Sequence, residues 1–142
     1  MNPAQHVCNY AVLRYLPYPE TGEFVNVGVV VHGAEPGWCG YAGDEEDVHR
    51  VTQFFLKVTA TDYQRQKRAM FEELKRVRDL ILATPDRRLA RSIFQELVRP
   101  RESVFRFGEM RTAMTDDPAA LLQRLCEQNV KPRRPGTSLV PA

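Results

Sequence analysis

The stretch RYLPYPETGEFVNVGVVVHG, Arg14 to Gly33, constrains this chain more than any other. Its second half alternates. Val25, Val27, Val29 and Val31 fall on one side of an extended backbone, and Phe24, Asn26, Gly28, Val30 and His32 on the other. Valine at that spacing predicts a strand, Phe24 to His32, with the valine side in the core. Upstream, Tyr10 to Leu16 alternates too, with Ala11, Leu13 and Tyr15 opposed to Tyr10, Val12, Arg14 and Leu16. Pro17, Pro19 and Gly22 punctuate the connection between the two. After the Gly33–Gly37 turn a short third strand, Trp38 to Tyr41, fits, and short connections make the three an antiparallel meander.

The period then changes. Asp44 to Lys57 places Val48, Val51, Phe54 and Phe55 at helical spacing behind an acidic first turn. Thr61-Asp62 is read as the cap of a long helix ending near Leu82, with Met70, Leu74, Val77 and Ile81 as its apolar stripe. Thr84-Pro85 is read as the cap of a third helix, with Leu89, Ala90, Ile93, Phe94, Leu97 and Val98 inward and Arg99-Pro100 as its end. Ser103 to Phe107 returns to alternation. Asp117-Pro118 opens a last helix with Leu121, Leu122, Leu125 and Val130 on its apolar side. The expected fold class is α+β: a small antiparallel β-sheet, an N-terminal meander plus one later strand, packed with a helical insert and a C-terminal helix. Residues 1–130 are expected to form one domain, and 131–142, with three prolines and three cations, a flexible basic tail.

A chain of 142 residues with 43% hydrophobic content has enough apolar material for one core. No apolar run is long enough to span a bilayer, and the N-terminus lacks the basic start and apolar stretch of a signal peptide, so a cytoplasmic location is expected. Three widely spaced cysteines, Cys8, Cys39 and Cys126, read as reduced thiols. The net charge of +2 hides an asymmetry: residues 1–61 carry three cations and seven acids, and residues 62–111 thirteen cations and eight acids. An acidic first part beside a basic middle either steers a charged partner or holds two halves of one fold together.

Asn26 and Gly28 interrupt the valine run and raise the question of a site. One reading has Arg14, Glu23 and Asn26 share a polar face that binds a partner or ligand, with the segment Phe107 to Asp117, including Arg111, Asp116 and Asp117, as a second candidate surface. The other is structural. Asn26 bonds a nearby loop, Gly28 lets an aromatic ring approach the strand, Glu23 pairs with Arg14, and Asp116-Asp117 cap the last helix.

Catalysis finds little support. Cys8 with His6 or His32 can be drawn as nucleophile and base, and no phosphate-binding glycine loop or serine elbow occurs. His6, Cys8, His32, Cys39 and His49 lack the paired spacing of a zinc site, so no metal and no cofactor are expected. The basic middle is the argument for nucleic acid: Arg65, Lys67, Arg68, Lys75, Arg87, Arg88 and Arg91 line helices as a phosphate-binding face would. Acids interrupt that face, and the isoelectric point near 8.5 is below that of dedicated binders.

Three blocks, Tyr10–Tyr15, Gly22–Val31 and Phe105–Val130, together resemble the bacterial DUF3037 family. The order Gly22-Glu23-x-Val25-Asn26-Val27-Gly28-Val29 and the Thr115-Asp116-Asp117-Pro118 block carry the likeness, and residues 38–101 match only in helical character. Where the family pattern has a shorter turn containing aspartate, this chain has Tyr18-Pro19-Glu20-Thr21. The resemblance implies a non-catalytic, protein-binding regulator, encoded beside a HipA-like kinase in a toxin–antitoxin-like pair, and supplies no catalytic residues.

Overall fold

The computed structural model describes residues 5–34, 37–43 and 48–130. The expected tail at 131–142 and the acidic turn at 44–47 lie outside them. Among the described residues, five strands and four helices follow in the order β1 (His6–Tyr15), β2 (Val25–Gly33), β3 (Trp38–Gly43), α1 (His49–Phe54), α2 (Ala60–Leu82), α3 (Arg87–Val98), β4 (Phe105–Phe107), β5 (Arg111–Thr115) and α4 (Pro118–Asn129). The sheet is antiparallel, in the order β3-β2-β1, with β4 and β5 both on the outer side of β1. The meander is therefore as the alternation predicts, in an α+β fold. β5 is an addition. Its sequence, Arg-Thr-Ala-Met-Thr, buries only Thr115 and so leaves no apolar alternation to read.

β2 is buried along both faces, and the four valines do not share one of them. Leu13 pairs with Gly28 but Arg14 with Asn26, so Val27 has no residue opposite it. This bulge shifts the alternation by one residue. Val25, Val27 and Val30 consequently face α1, α2 and α3, whereas Val29 and Val31 face α4. Two cores result, one on each side of the sheet. Gly28 lies in the first. A Cβ there would sit 3.4 Å from the Phe71 ring and 3.2 Å from the Ala42 carbonyl oxygen. Gly43, on β3, is tighter still: its Cβ would meet the same ring and lie 2.6 Å from the Val27 carbonyl oxygen. The glycine in the valine run thus receives an aromatic side chain from α2.

The first core is aromatic. Tyr15 meets Tyr63, Phe105 and Phe55 at ring distances of 4.8, 5.2 and 6.0 Å. Its phenol donates a hydrogen bond of 2.9 Å to Gln66. The inward stripe of α2 begins about two turns before the expected Met70, at Tyr63, and runs through Lys67, Phe71, Leu74, Val77 and Ile81. Met70 is only half-buried and Leu80 is exposed. The caps differ by a residue or two from expectation. Thr59, not Thr61, accepts from the Asp62 amide, and Asp86, not Thr84, caps α3 by accepting from Arg88 and Leu89. Leu89 lies off the inward stripe and is exposed, while Ala90, Phe94 and Val98 are inside. Asp117 caps α4 as its sequence requires, with Pro118 in the first turn. The first helix is cut to six residues because Phe55 is extended, which leaves Phe54 in solvent.

The second core is smaller. Leu121, Leu122, Leu125, Cys126 and Val130 cover Cys8, Val29 and Val31. Arg50 ties its end to the rest, donating from Nη1 both to the Asn26 carbonyl at 3.0 Å and to the Val130 carbonyl.

Candidate functional site

The register sets Arg14 directly opposite Asn26 on β2, and directly opposite Arg106 on β4. Paired residues point to the same side of a sheet, so the three side chains share one face. The Arg14 guanidinium lies 4.2 Å from the centre of the exposed Phe24 ring. On its other side is Gly108, where a Cβ would come within 2.9 Å of Cζ. A side chain there would press the end of the Arg14 side chain aside.

Two side-chain atoms here are buried without a hydrogen-bond partner among the described residues: Nε of Arg14 and Oδ1 of Asn26. The Asn26 backbone is used structurally, through Arg50, but its amide oxygen is not. Buried polar atoms are rarely left unpaired, and each costs roughly 1–3 kcal/mol when they are. Arg106 donates to the Ser103 carbonyl at 2.9 Å. Neither arginine forms an ion pair among the described residues, and two like charges directly across a sheet destabilise it.

Two hollows adjoin these residues. A groove of about 480 Å³ runs between α2, α3 and β4, with Met70, Val77, Ile93 and Leu97 in its floor. A second hollow, of about 590 Å³, is bounded by Arg14, the end of α3 and the turn Gly108–Met110. Arg99 and Phe107 border both.

The other candidate residues are dispersed. Glu23 is exposed in the loop before β2 and makes no ion pair with Arg14 among the described residues. Arg111 is exposed opposite Tyr10. Asp116 and Asp117 follow Thr115, whose partner is His6 at the far end of β1, and Asp117 is occupied as a cap, accepting from the Ala120 amide at 3.2 Å. At about 3.3 Å per residue they stand roughly 25 Å from Arg14. The six therefore do not form one surface.

The basic residues divide too. Lys67 is a correction: it is 5% exposed, within the inward stripe of α2, with its ammonium 5.4 Å from the centre of the Tyr63 ring. The helical repeat through Tyr63 and Phe71 carries it inside. Arg68 and Lys75 border a hollow at Tyr41, whereas Arg87 and Arg91 border hollows at His32. Arg65 is paired with Asp62, and Arg88 is exposed. What sequence reasoning missed lies between these sets. Arg99 and Arg106 become neighbours of Arg14 only through the pairing of β4 with β1, which no local pattern announces, and the same pairing brings in Phe107 from the second candidate segment.

The nucleophile candidate does not assemble. Cys8 faces the α4 core and is wholly buried, which raises its thiol pKa, while His32 faces α3, stacked on Phe94 at 5.2 Å. Burial likewise pushes the Cys39 thiol up to about 12. Burial, with the nearby Arg91 charge, lowers the pKa of His32. Among the described residues no three His, Cys, Asp or Glu side chains converge as metal ligands would, and no helix is long and apolar enough to cross a membrane. The chemistry on offer at Arg14 is recognition of an anion or of a hydrogen-bonding group.

A family model whose description is protein of unknown function, DUF3037, matches residues 10–130, most of the chain. The chain belongs to the DUF3037 family. No curated protein and no solved structure matches it. The match to DUF3037 runs from the middle of β1 to just past the end of α4 and so includes Arg14, Asn26 and Arg106.

Proposed function

We propose that this chain is a non-catalytic binding module that engages another protein through the flank of the sheet carrying Arg14 and Asn26, its partner being a kinase of the HipA-like kind. What supports this reading is one observation: a guanidinium nitrogen and an amide oxygen, paired across two strands, are buried without partners beside an exposed aromatic ring. A surface of this kind is completed from outside, by a chain that donates to Asn26 and accepts from Arg14.

Affinity capture of the tagged protein at native expression level, with and without nuclease, tests it. A stoichiometric protein that survives nuclease, and is lost from the Arg14→Ala/Asn26→Ala variant with its melting temperature intact, is expected. Capture of nucleic acid alone, lost on Arg87→Glu/Arg88→Glu, would transfer the function to the basic helices.

A further inference from the structure

β4 is an edge strand, and its register decides what the edge presents. Leu16 donates to the Val104 carbonyl at 2.6 Å, and Gly108 donates to the Val12 carbonyl at 2.8 Å. Arg106 lies between these bonds, opposite Arg14, so its backbone faces β1. The alternation of an antiparallel ladder then turns the backbone of Phe105 and Phe107 outward. The Phe105 amide is met by Ser103 Oγ at 3.4 Å. Among the described residues the Phe105 carbonyl and both backbone groups of Phe107 have no strand beside them. Such an edge is a template for another extended chain.

The edge opens onto the two hollows, which join at Arg99 and Phe107. Their combined border carries five arginines, at 14, 76, 99, 101 and 106, and three glutamates, at 73, 96 and 109. Glu73 is paired with Arg76, and Glu96 with Arg99 and Arg101. Among the described residues the border charges left without an ion pair are Arg14, Arg106 and Glu109, and the border as a whole keeps an excess of two cations.

We propose that the partner supplies an extended acidic segment, which adds as a strand to the open edge of β4 and places a carboxylate between Arg14 and Arg106. This rests on the protein-binding reading and names the chemistry of its partner. Main-chain bonds to Phe105 and Phe107 give the segment its direction. Alternate apolar side chains reach the floor of Met70, Val77, Ile93 and Leu97. The carboxylate relieves the like-charge pair of Arg14 and Arg106.

The test uses a short fluorescein-labelled peptide alternating glutamate and valine, read by anisotropy at low ionic strength against the full chain. Two counterparts accompany it, one with lysine for glutamate and one N-methylated at alternate amides. The acidic peptide is expected to bind roughly tenfold tighter than the lysine peptide, to weaken with salt, and to lose about tenfold with Arg106→Glu. N-methylation should cost a similar factor, because it removes main-chain donors. The exposed Arg101→Glu, which cannot endanger folding as Arg106→Glu could, should weaken it by a smaller factor. Equal binding of the N-methylated peptide overturns strand addition, equal binding of the lysine peptide overturns the acidic partner, and failure of the acidic peptide overturns both. A protein captured from cells while the peptide fails leaves the binding-module reading standing and removes only this one. Absence of any captured protein removes the reading beneath it.

Discussion

On the β3 flank of the sheet glycine lets a helix close in, whereas on the β4–β5 flank arginines border open hollows. Gly28 and Gly43 admit the Phe71 ring of α2 until it touches backbone, and α4 covers the opposite face with Leu122 near Gly40. The other flank is divided between two short strands, with the turn Gly108–Met110 between them, and has Arg14, Arg99, Arg101 and Arg106 around it. Both flanks use a glycine to seat a large side chain. At Gly43 that side chain is apolar and enclosed, while at Gly108 it is a guanidinium with a donor to spare. Close packing serves stability, and unsatisfied polarity serves recognition.

The sharpest way to break the comparison is Phe71→Ala, which empties the space over both glycines. A loss of about 3–5 kcal/mol in chemical denaturation is expected, and a loss under about 1 kcal/mol would mean that the flank is not closely packed. Gly43→Ala should cost about 1–3 kcal/mol through overpacking. Combined with Phe71→Ala it should cost less, though not nothing, since the Val27 carbonyl remains in the way. Additivity of the two would sever the link between ring and glycine.

Between these extremes lies His32, buried and with its pKa lowered in the fold. The unfolded chain takes up the proton first. Stability is therefore complete above the ordinary histidine value of 6.5 and declines as pH falls below it toward the folded value. One proton limits the slope to about 1.4 kcal/mol per pH unit. Melts between pH 7 and 5 should show a decline that His32→Gln flattens. An unchanged profile in that variant would assign the acid sensitivity elsewhere. Asp117→Ala should cost about 1 kcal/mol by removing the cap of α4 and leave partner capture unaltered. Loss of capture at constant stability would return Asp117 to the binding surface. Smallest of all, Arg99→Glu/Arg101→Glu should change stability by less than about 1 kcal/mol, because those ion pairs are exposed. A large destabilisation would make the arginine flank structural after all.

Much of this architecture is written in local pattern. The two long strands announce themselves by alternation, α4 by Asp117-Pro118, and α3 by its apolar spacing. The bulge is not announced, because a run of valines reads equally well in either phase until Leu13 and Arg14 choose partners. Lys67 was hidden by the habit of treating charge as surface, although its spacing from Tyr63 and Phe71 places it inside. For the candidate site, Arg14 and Asn26 are legible as polar residues where apolar ones belong. Arg106 and Arg99 are not, since they reach Arg14 only through a pairing that bridges most of the chain. β5 is invisible for the opposite reason: a strand with so little to bury leaves almost no imprint in hydrophobicity.

The division of β2 between two cores has a consequence in time as well as in space. Among the described residues the cluster around Val30, with α1, α2, α3 and β4 as its cover, has been made by residue 107. Among the described residues the helix that covers Val29 and Val31 is α4, and the carbonyl that Arg50 holds, at Val130, is eighty residues downstream of it. During synthesis the sheet therefore carries one finished side and one oily, uncovered side until the last helix is delivered. A ribosome that stalls after β5 releases a half-roofed chain, the kind of species that seeks another like itself.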